Sequence, residues 1–198
     1  MSATAATRAA WWVGLEAQWK IAFNEAFFQK GTTEATPSGE ELEELFTCVN
    51  FRFAGPRAFH ANMSMELTNL SGLSTLHQAQ VLIVTNHQVA VLTPLAELTG
   101  LTALFLNDNA IESINGLEKL VALTTLQLAG NQIRSLEPLE KLTRLETLNC
   151  GSNKLASFAG LHPGNTEHLD QFVGLPNRIA QTEIDRLQND LRIRVHGF

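Results

Sequence analysis

Between Leu82 and Leu161 the apolar positions of this chain recur at neither of the short periods of an isolated helix or strand, but every 22 residues. The columns read Leu82, Leu104, Leu126 and Leu148; Val84, Leu106, Leu128 and Cys150; Val89, Ile111, Ile133 and Leu155; Leu92, Ile114, Leu136 and Phe158; and Leu95, Leu117, Leu139 and Leu161. Polar positions keep the same step: Asn109, Asn131 and Asn153 form one column, with His87 in the equivalent place one unit earlier. Pro94, Gly116, Pro138 and Gly160 form another. Each unit thus has the form L-x-x-L-x-L-x-x-N-x-I, followed by three more apolar positions.

The alternating L-x-L predicts a short strand with every second side chain turned inward, and the strands of successive units stack into a parallel sheet on one side of a coil. The later apolar positions turn inward from short helical or extended pieces on the opposite side. No unit buries these residues alone, so stability rests largely on contacts between neighbours. After the strand the chain bends sharply and leaves backbone N–H and C=O groups facing the interior. An amide side chain both donates and accepts there, so Asn109, Asn131 and Asn153 are read as a buried ladder and not as a site. The imidazole of His87 can imitate only part of that bonding.

The pattern extends at both ends with looser spacing. Upstream, Leu67, Leu70, Gly72, Leu73 and Leu76 fit the second half of a unit, while Val49, Phe51 and Phe53 alternate like its strand, leaving residues 54–66 as a longer loop. Downstream, Leu169, Phe172, Gly174, Asn177 and Ile179 repeat Leu145, Leu148, Cys150, Asn153 and Leu155 at a spacing of 24, with a two-residue insertion near Pro163 and Gly164. A coil of this kind exposes core and strand edges at both ends, so caps are expected. Trp12, Leu15, Trp19, Phe23, Ala26 and Phe27 form an apolar stripe at helical spacing that predicts one helix ending near Gly31. A second helix is predicted after Thr36-Pro37, with Leu42, Leu45 and Phe46 inward and four glutamates outward in its first turns, where the helix dipole favours them. Thr182 to Asp190 reads as a helix, and Leu191, Ile193 and Val195 alternate as a last strand. The resulting expectation is one domain over 1–198, with a helical cap over 1–48, repeats over 49–180 and a helix-strand cap over 181–198.

At these columns the sequence resembles the leucine-rich-repeat superfamily, in the bacterial 22-residue class that includes internalin-like proteins and is similar to phosphatase-regulating repeat proteins. The resemblance runs from Phe51 to about Ile179. It implies an α/β fold: a right-handed solenoid with a parallel sheet on its concave face, which in that family binds proteins. The helical start also looks like the leader of bacterial repeat proteins of unknown function.

A formal net charge of -6 supplies no broad basic surface for nucleic acid or anionic lipid, and neither partner is expected. No segment has the roughly 20 apolar residues of a membrane span. Cys48 and Cys150 lack CxxC spacing and a disulfide-rich setting, which fits a reducing compartment. With its start taken as native, the chain shows neither the secretion signal nor the wall anchor of internalins, and a cytoplasmic protein is expected.

Residues between the inward leucines define the concave face. Its central column is Ile83, Phe105, Gln127, Asn149 and Val173, flanked by Val81, Ala103, Thr125, Thr147 and Gln171 on one side and by Thr85, Asn107, Ala129, Gly151 and Leu175 on the other. An aromatic and an aliphatic residue side by side at Phe105 and Ile83, exposed by the repeat's own packing, favour a contact surface over an ordinary solvated sheet. The chemistry-bearing residues elsewhere have plainer readings. His162 and His168, with Glu167 and Asp170, fall in the insertion as a surface loop, and no histidine has metal-ligand spacing such as HExxH. Cys150 belongs to an inward column, and Cys48 has no base nearby in sequence. Neither a phosphate-cradling glycine loop nor a G-x-S-x-G elbow occurs. Arg192, Arg194 and His196 are read as edge protection on the last strand. The expectation is a monomeric protein-binding module, an adaptor or inhibitor, with no catalytic residues, metal or cofactor. A subunit that self-associates through its caps is the alternative, and an enzyme or metal-binding protein comes third.

Overall fold

A computed structural model describes residues 4–196; the first three residues of the expected N-terminal cap and the last two of the C-terminal cap lie outside the described residues. Six parallel strands form one sheet in sequence order: β1 (Asn50–Ala54), β2 (Val81–Thr85), β3 (Ala103–Phe105), β4 (Thr125–Gln127), β5 (Thr147–Asn149) and β6 (Gln171–Val173). The register pairs Leu82 with Leu104, Leu104 with Leu126, Leu126 with Leu148 and Leu148 with Phe172, so the 22-residue columns are the rungs of the sheet. Every one of these inward residues is buried. Opposite the sheet, 3₁₀ turns at Ser71–Leu73, Thr93–Leu95 and Glu137–Leu139 carry the later leucines inward.

Beyond the strands the coils stay hydrogen-bonded. Gln88, Ala110, Gln132, Lys154 and Arg178 each donate a backbone N–H to the preceding coil, at Leu67, Val89, Ile111, Ile133 and Leu155 respectively. This second backbone ladder leaves few unpaired groups in the irregular part of each unit.

The alternating Pro and Gly column has a steric cause. Pro94 and Pro138 lie in 3₁₀ turns, where the fixed φ of proline suits the first helical positions. Gly116 and Gly160 have φ of +106° and +101°, and a Cβ on either would come within 2.9 Å or 2.2 Å of the carbonyl oxygen of Leu92 or Leu136 in the coil beneath. Only glycine meets both demands.

The N-terminal stripe forms two helices where the sequence predicts one. α1 (Ala5–Gly14) stops at Leu15, whose N–H bonds to Trp12, and α2 (Ala17–Ala22) begins after Glu16. Glu16 bonds Gln18, Asn69 and Ser71, which ties the break to the first repeat. α2 then runs into a π turn over Phe23–Phe27, closed by Phe28 N–H to Phe23 C=O at 2.9 Å. Widening the turn brings Phe23 against Trp19 and Phe53, with ring centroids 5.4 Å and 5.6 Å away. α3 (Gly39–Thr47) starts with a full capping box between Ser38 and Glu41, buries Leu42 and Leu45, and sets Phe46 edge-on to Trp11. These helices close the apolar end of the core against Phe51 and Phe53 of β1.

At the other end the insertion is not a plain loop. It forms a short helix, α4 (Pro163–Thr166), capped by the His162 side chain, and buried Asn165 ties it back to the carbonyls of Leu139 and Gly160. α5 (Gln181–Asp190) matches the expected helix and packs Leu187 into the core. The expected last strand reduces to a single parallel bridge between Val173 and His196. Arg192, at φ +57°, turns the chain just before it and leaves too short a straight run for a ladder.

Candidate functional site

Two features of each unit set the geometry of the sheet's outward face: the strand's alternation, and the turn that follows it. The asparagines hold that turn. Asn131 accepts from Ile111 N–H at 3.1 Å and donates to the carbonyls of Leu106, Leu128 and Ala129. Asn109 and Asn153 repeat these contacts one coil earlier and one later. Asn177 joins them, accepting from Leu155 N–H and donating to Cys150 and Gly174 carbonyls, as the 24-residue offset implies. His87 completes the ladder in reduced form: Nδ1 accepts from Leu67 N–H at 3.0 Å and Nε2 lies 3.3 Å from the Phe53 carbonyl. The contacts to its own turn, which the amides make, are missing.

Burial holds His87 below the ordinary imidazole range, against the weaker opposing pull of the Phe53 carbonyl and Glu66. Its Nδ1 must stay unprotonated to accept from Leu67. A folded-state value below the unfolded one means that this contribution is whole above the unfolded value of about 6.5 and is lost as the pH falls through and below it. His87→Asn should therefore flatten the acid limb of the stability profile, by at most about 1.4 kcal/mol per pH unit, which is the limit for one proton. Urea midpoints of the two proteins measured from pH 8 to pH 5 test this, and parallel curves would show that His87 does not titrate with unfolding.

With the turns fixed, the outward columns fall into register. Ile83 pairs with Phe105, Phe105 with Gln127, Gln127 with Asn149 and Asn149 with Val173; alongside run Val81, Ala103, Thr125, Thr147 and Gln171. The structure thus gathers the sequence-designated residues onto one face. Their exposure differs from the expectation. Ile83, Thr85, Ala103, Phe105, Asn107, Thr125, Gln127, Thr147 and Val173 are half-buried, and Gln171 is exposed. Neighbouring strands lie close enough for each side chain to shelter the next. Asn149 is buried: its Oδ1 turns to accept from Gly151 N–H, and so it presents less of its amide outward than its column implies. Ala129 and Gly151 are buried as well.

Sequence spacing missed Arg52. The longer first loop stretches the interval between units, and the register reveals that Arg52 pairs with Ile83 and heads the central column. The alternation Phe51, Arg52, Phe53 was the signal for its outward direction.

Other concavities carry less. A polar cleft of about 500 Å³ beside the post-strand turns is lined by Arg57, Asn86, Gln88, Asp108 and Gln132, and Arg57 is paired with Glu66 at 2.9 Å. Among the described residues no three His, Cys, Asp or Glu side chains converge as a metal site. Complete burial pushes the Cys150 thiol up to about 12, far from the thiolate that nucleophilic chemistry needs. His162 is occupied as the cap of α4 and lies 3.1 Å from the Glu140 carbonyl.

Residues 121–161 match the family model for Leucine Rich repeats (2 copies). The chain has the leucine-rich-repeat fold. Among solved structures, the chain is similar to internalin C2 from Listeria monocytogenes, at 31% identity and a TM-score of 0.57 over 63% of this chain and 56% of that one. It is similar to a second internalin of the same organism at 23% identity, with a TM-score of 0.57, over 67% of this chain and 38% of that one. A leucine-rich-repeat protein of Leptospira interrogans matches at 18% identity and a TM-score of 0.62, over 85% of this chain and 42% of that one. The latter two show the fold alone. The chain spans less than two thirds of the length of each of these proteins. No curated protein matches it significantly. Repeats of this fold are generally protein-protein interaction modules and typically not enzymes. No helix among the described residues is long and apolar enough to cross a membrane.

Proposed function

We propose that the protein is an adaptor or inhibitor that holds a protein partner on the outward, concave face of its sheet. The observation that supports this is the row Ile83, Phe105 and Gln127: three consecutive rungs, each half-buried and outside the hydrophobic core, whose side chains make no hydrogen bond among the described residues. Rigid positions with an aromatic centre and polar surroundings are the composition of an interface centre. The backbone ladder beneath them is complete, so a partner meets a surface that needs little ordering.

Phe105→Glu combined with Gln127→Glu tests the reading. Both side chains point away from the core, so the fold should survive. Two carboxylates on adjacent strands, one of them replacing the aromatic ring, should abolish partner binding, because each is desolvated without a partner. Affinity capture from the source organism, read by mass spectrometry, should lose the proteins that the wild type retains. Lys141→Glu, in an exposed turn away from the sheet, serves as control. Glu118 is unsuitable for that purpose because its carboxylate accepts from Gly116 N–H at 2.7 Å. Binding kept by the folded double variant and lost by the control would place the interface on the convex side.

A further inference from the structure

The loop that interrupts the first repeat stands at one corner of this face, and it is built rather than slack. Asn62 Oδ1 accepts from Ala54 N–H at 2.7 Å, its Nδ2 donates to the Arg52 carbonyl at 2.8 Å, and the N–H groups of Asn62 and Met63 both donate to the Ala54 carbonyl. Gly55 N–H continues the sheet to Thr85, the Met63 side chain is buried, and Arg57 pairs with Glu66 across the base. A loop tied in this way has already lost most of its conformational freedom. Yet its tip presents Phe59 with 95% of its surface exposed, edge-on to the ring of His60. The Arg52 guanidinium donates to the His60 carbonyl, which places the tip beside the head of the central column.

Charge singles out the same corner. Of the outward positions on β1 to β6, Arg52 alone is charged, in a chain whose formal net charge is -6. Among the described residues no carboxylate lies within ion-pair distance of it. A guanidinium has five N–H donors, and the His60 carbonyl is its only acceptor among the described residues. Beyond Arg52 the face continues with the apolar Val81, Ile83, Ala103 and Phe105. The geometry points to a partner protein segment in which an apolar side chain and a carboxylate lie within a few residues of each other. The carboxylate pairs with Arg52, and the apolar side chain sits between Phe59 and the Ile83–Phe105 surface. Arginine suits the first contact, since it grips a carboxylate through two parallel hydrogen bonds, and a rigidly held exposed aromatic suits the second. This assignment rests on the concave-face reading and adds the loop as its second wall.

A library of random 12-residue peptides displayed on phage and selected on the whole immobilised chain supplies the probe. The enriched peptides should carry Asp or Glu near Leu, Ile, Phe or Trp. A fluorescent synthetic copy of the best one should bind Phe59→Ser and Arg52→Glu at least tenfold more weakly than wild type, with Lys141→Glu unchanged. Arg52→Gln, which keeps a donor for the His60 carbonyl, separates charge from loop anchoring and should also bind weakly. Replacing the peptide's acid by Lys should restore binding to Arg52→Glu, which no misfolded loop would do. Selection of basic peptides, failure to select any, or full affinity in Phe59→Ser and Arg52→Glu would each overturn the assignment. Loss in Phe105→Glu alone would do so while leaving the concave-face reading intact, and peptides indifferent to all three changes would sink both. A Phe59-dependent dimer in sedimentation would make the occupant a second copy of this chain and also overturn it.

Discussion

Trp19→Ala should destabilise the protein by about 3–5 kcal/mol, the usual range for emptying a fully buried large aromatic site. The indole has no exposed surface, stands 5.4 Å and 5.3 Å from the rings of Phe23 and Phe53, and donates its N–H to Asn69 Oδ1 at 3.2 Å. It therefore joins α2, the π turn, β1 and the first repeat at one point. The loss should extend beyond a cavity. The cap covers the apolar end of the core at Phe51 and Phe53, and a loosened cap exposes that surface to another molecule. The expected result is an earlier urea midpoint together with concentration-dependent association in sedimentation velocity, where the wild type is expected to be monomeric. Trp19→Phe, which keeps most of the ring stacking, should lose much less. An alanine variant with the wild-type midpoint and a single monomeric boundary would show that the cap is not the fastening of this end.

Asn131→Ala comes next, at about 2–3 kcal/mol. The amide is buried and engages one N–H and three carbonyls in two coils, and a buried backbone group left without its partner costs roughly 1–3 kcal/mol. Water can reach the half-buried Asn153 more readily, so Asn153→Ala should cost less. His87 provides an internal comparison. Asn131→His should keep the bond from Ile111 N–H and one donated bond to the coil below, and so fall between wild type and alanine. Urea unfolding of the three variants gives the order. Equal midpoints for Asn131→Ala and wild type would remove the ladder as a source of stability.

The interior of the coil was legible because one period governs it. A single 22-residue step gave the strands, the inward columns, the asparagine ladder and the partial mimicry by His87, each a matter of side-chain type at a fixed place. The ends were less legible for a physical reason. There the chain packs against only one neighbour, and local bonds decide: Glu16 breaks the first helix by bonding the repeat, Phe23 to Phe27 widen into a π turn around aromatic rings, and Arg192 turns the chain before it can extend along β6. The outward face was legible in direction but not in degree. Alternation says which way Phe105 and Asn149 leave the strand. It does not say how far adjacent strands shelter Phe105, or that Gly151 N–H draws the Asn149 amide back. Arg52 escaped because the first loop breaks the step that located its neighbours.

The alternation of proline and glycine gives the array a grain coarser than its repeat. Pro94 and Pro138 are 44 residues apart, as are Gly116 and Gly160, and each glycine exists because the coil below pushes a carbonyl into the place of its side chain. The interchangeable piece is consequently a pair of coils. An array lengthened or shortened by two coils keeps every such contact, whereas losing the glycine coil between two proline coils sets proline over the carbonyl that only glycine clears. Kinship by duplication is then to be sought between alternate units rather than adjacent ones, and a designer extending the scaffold would add it in two-coil cassettes.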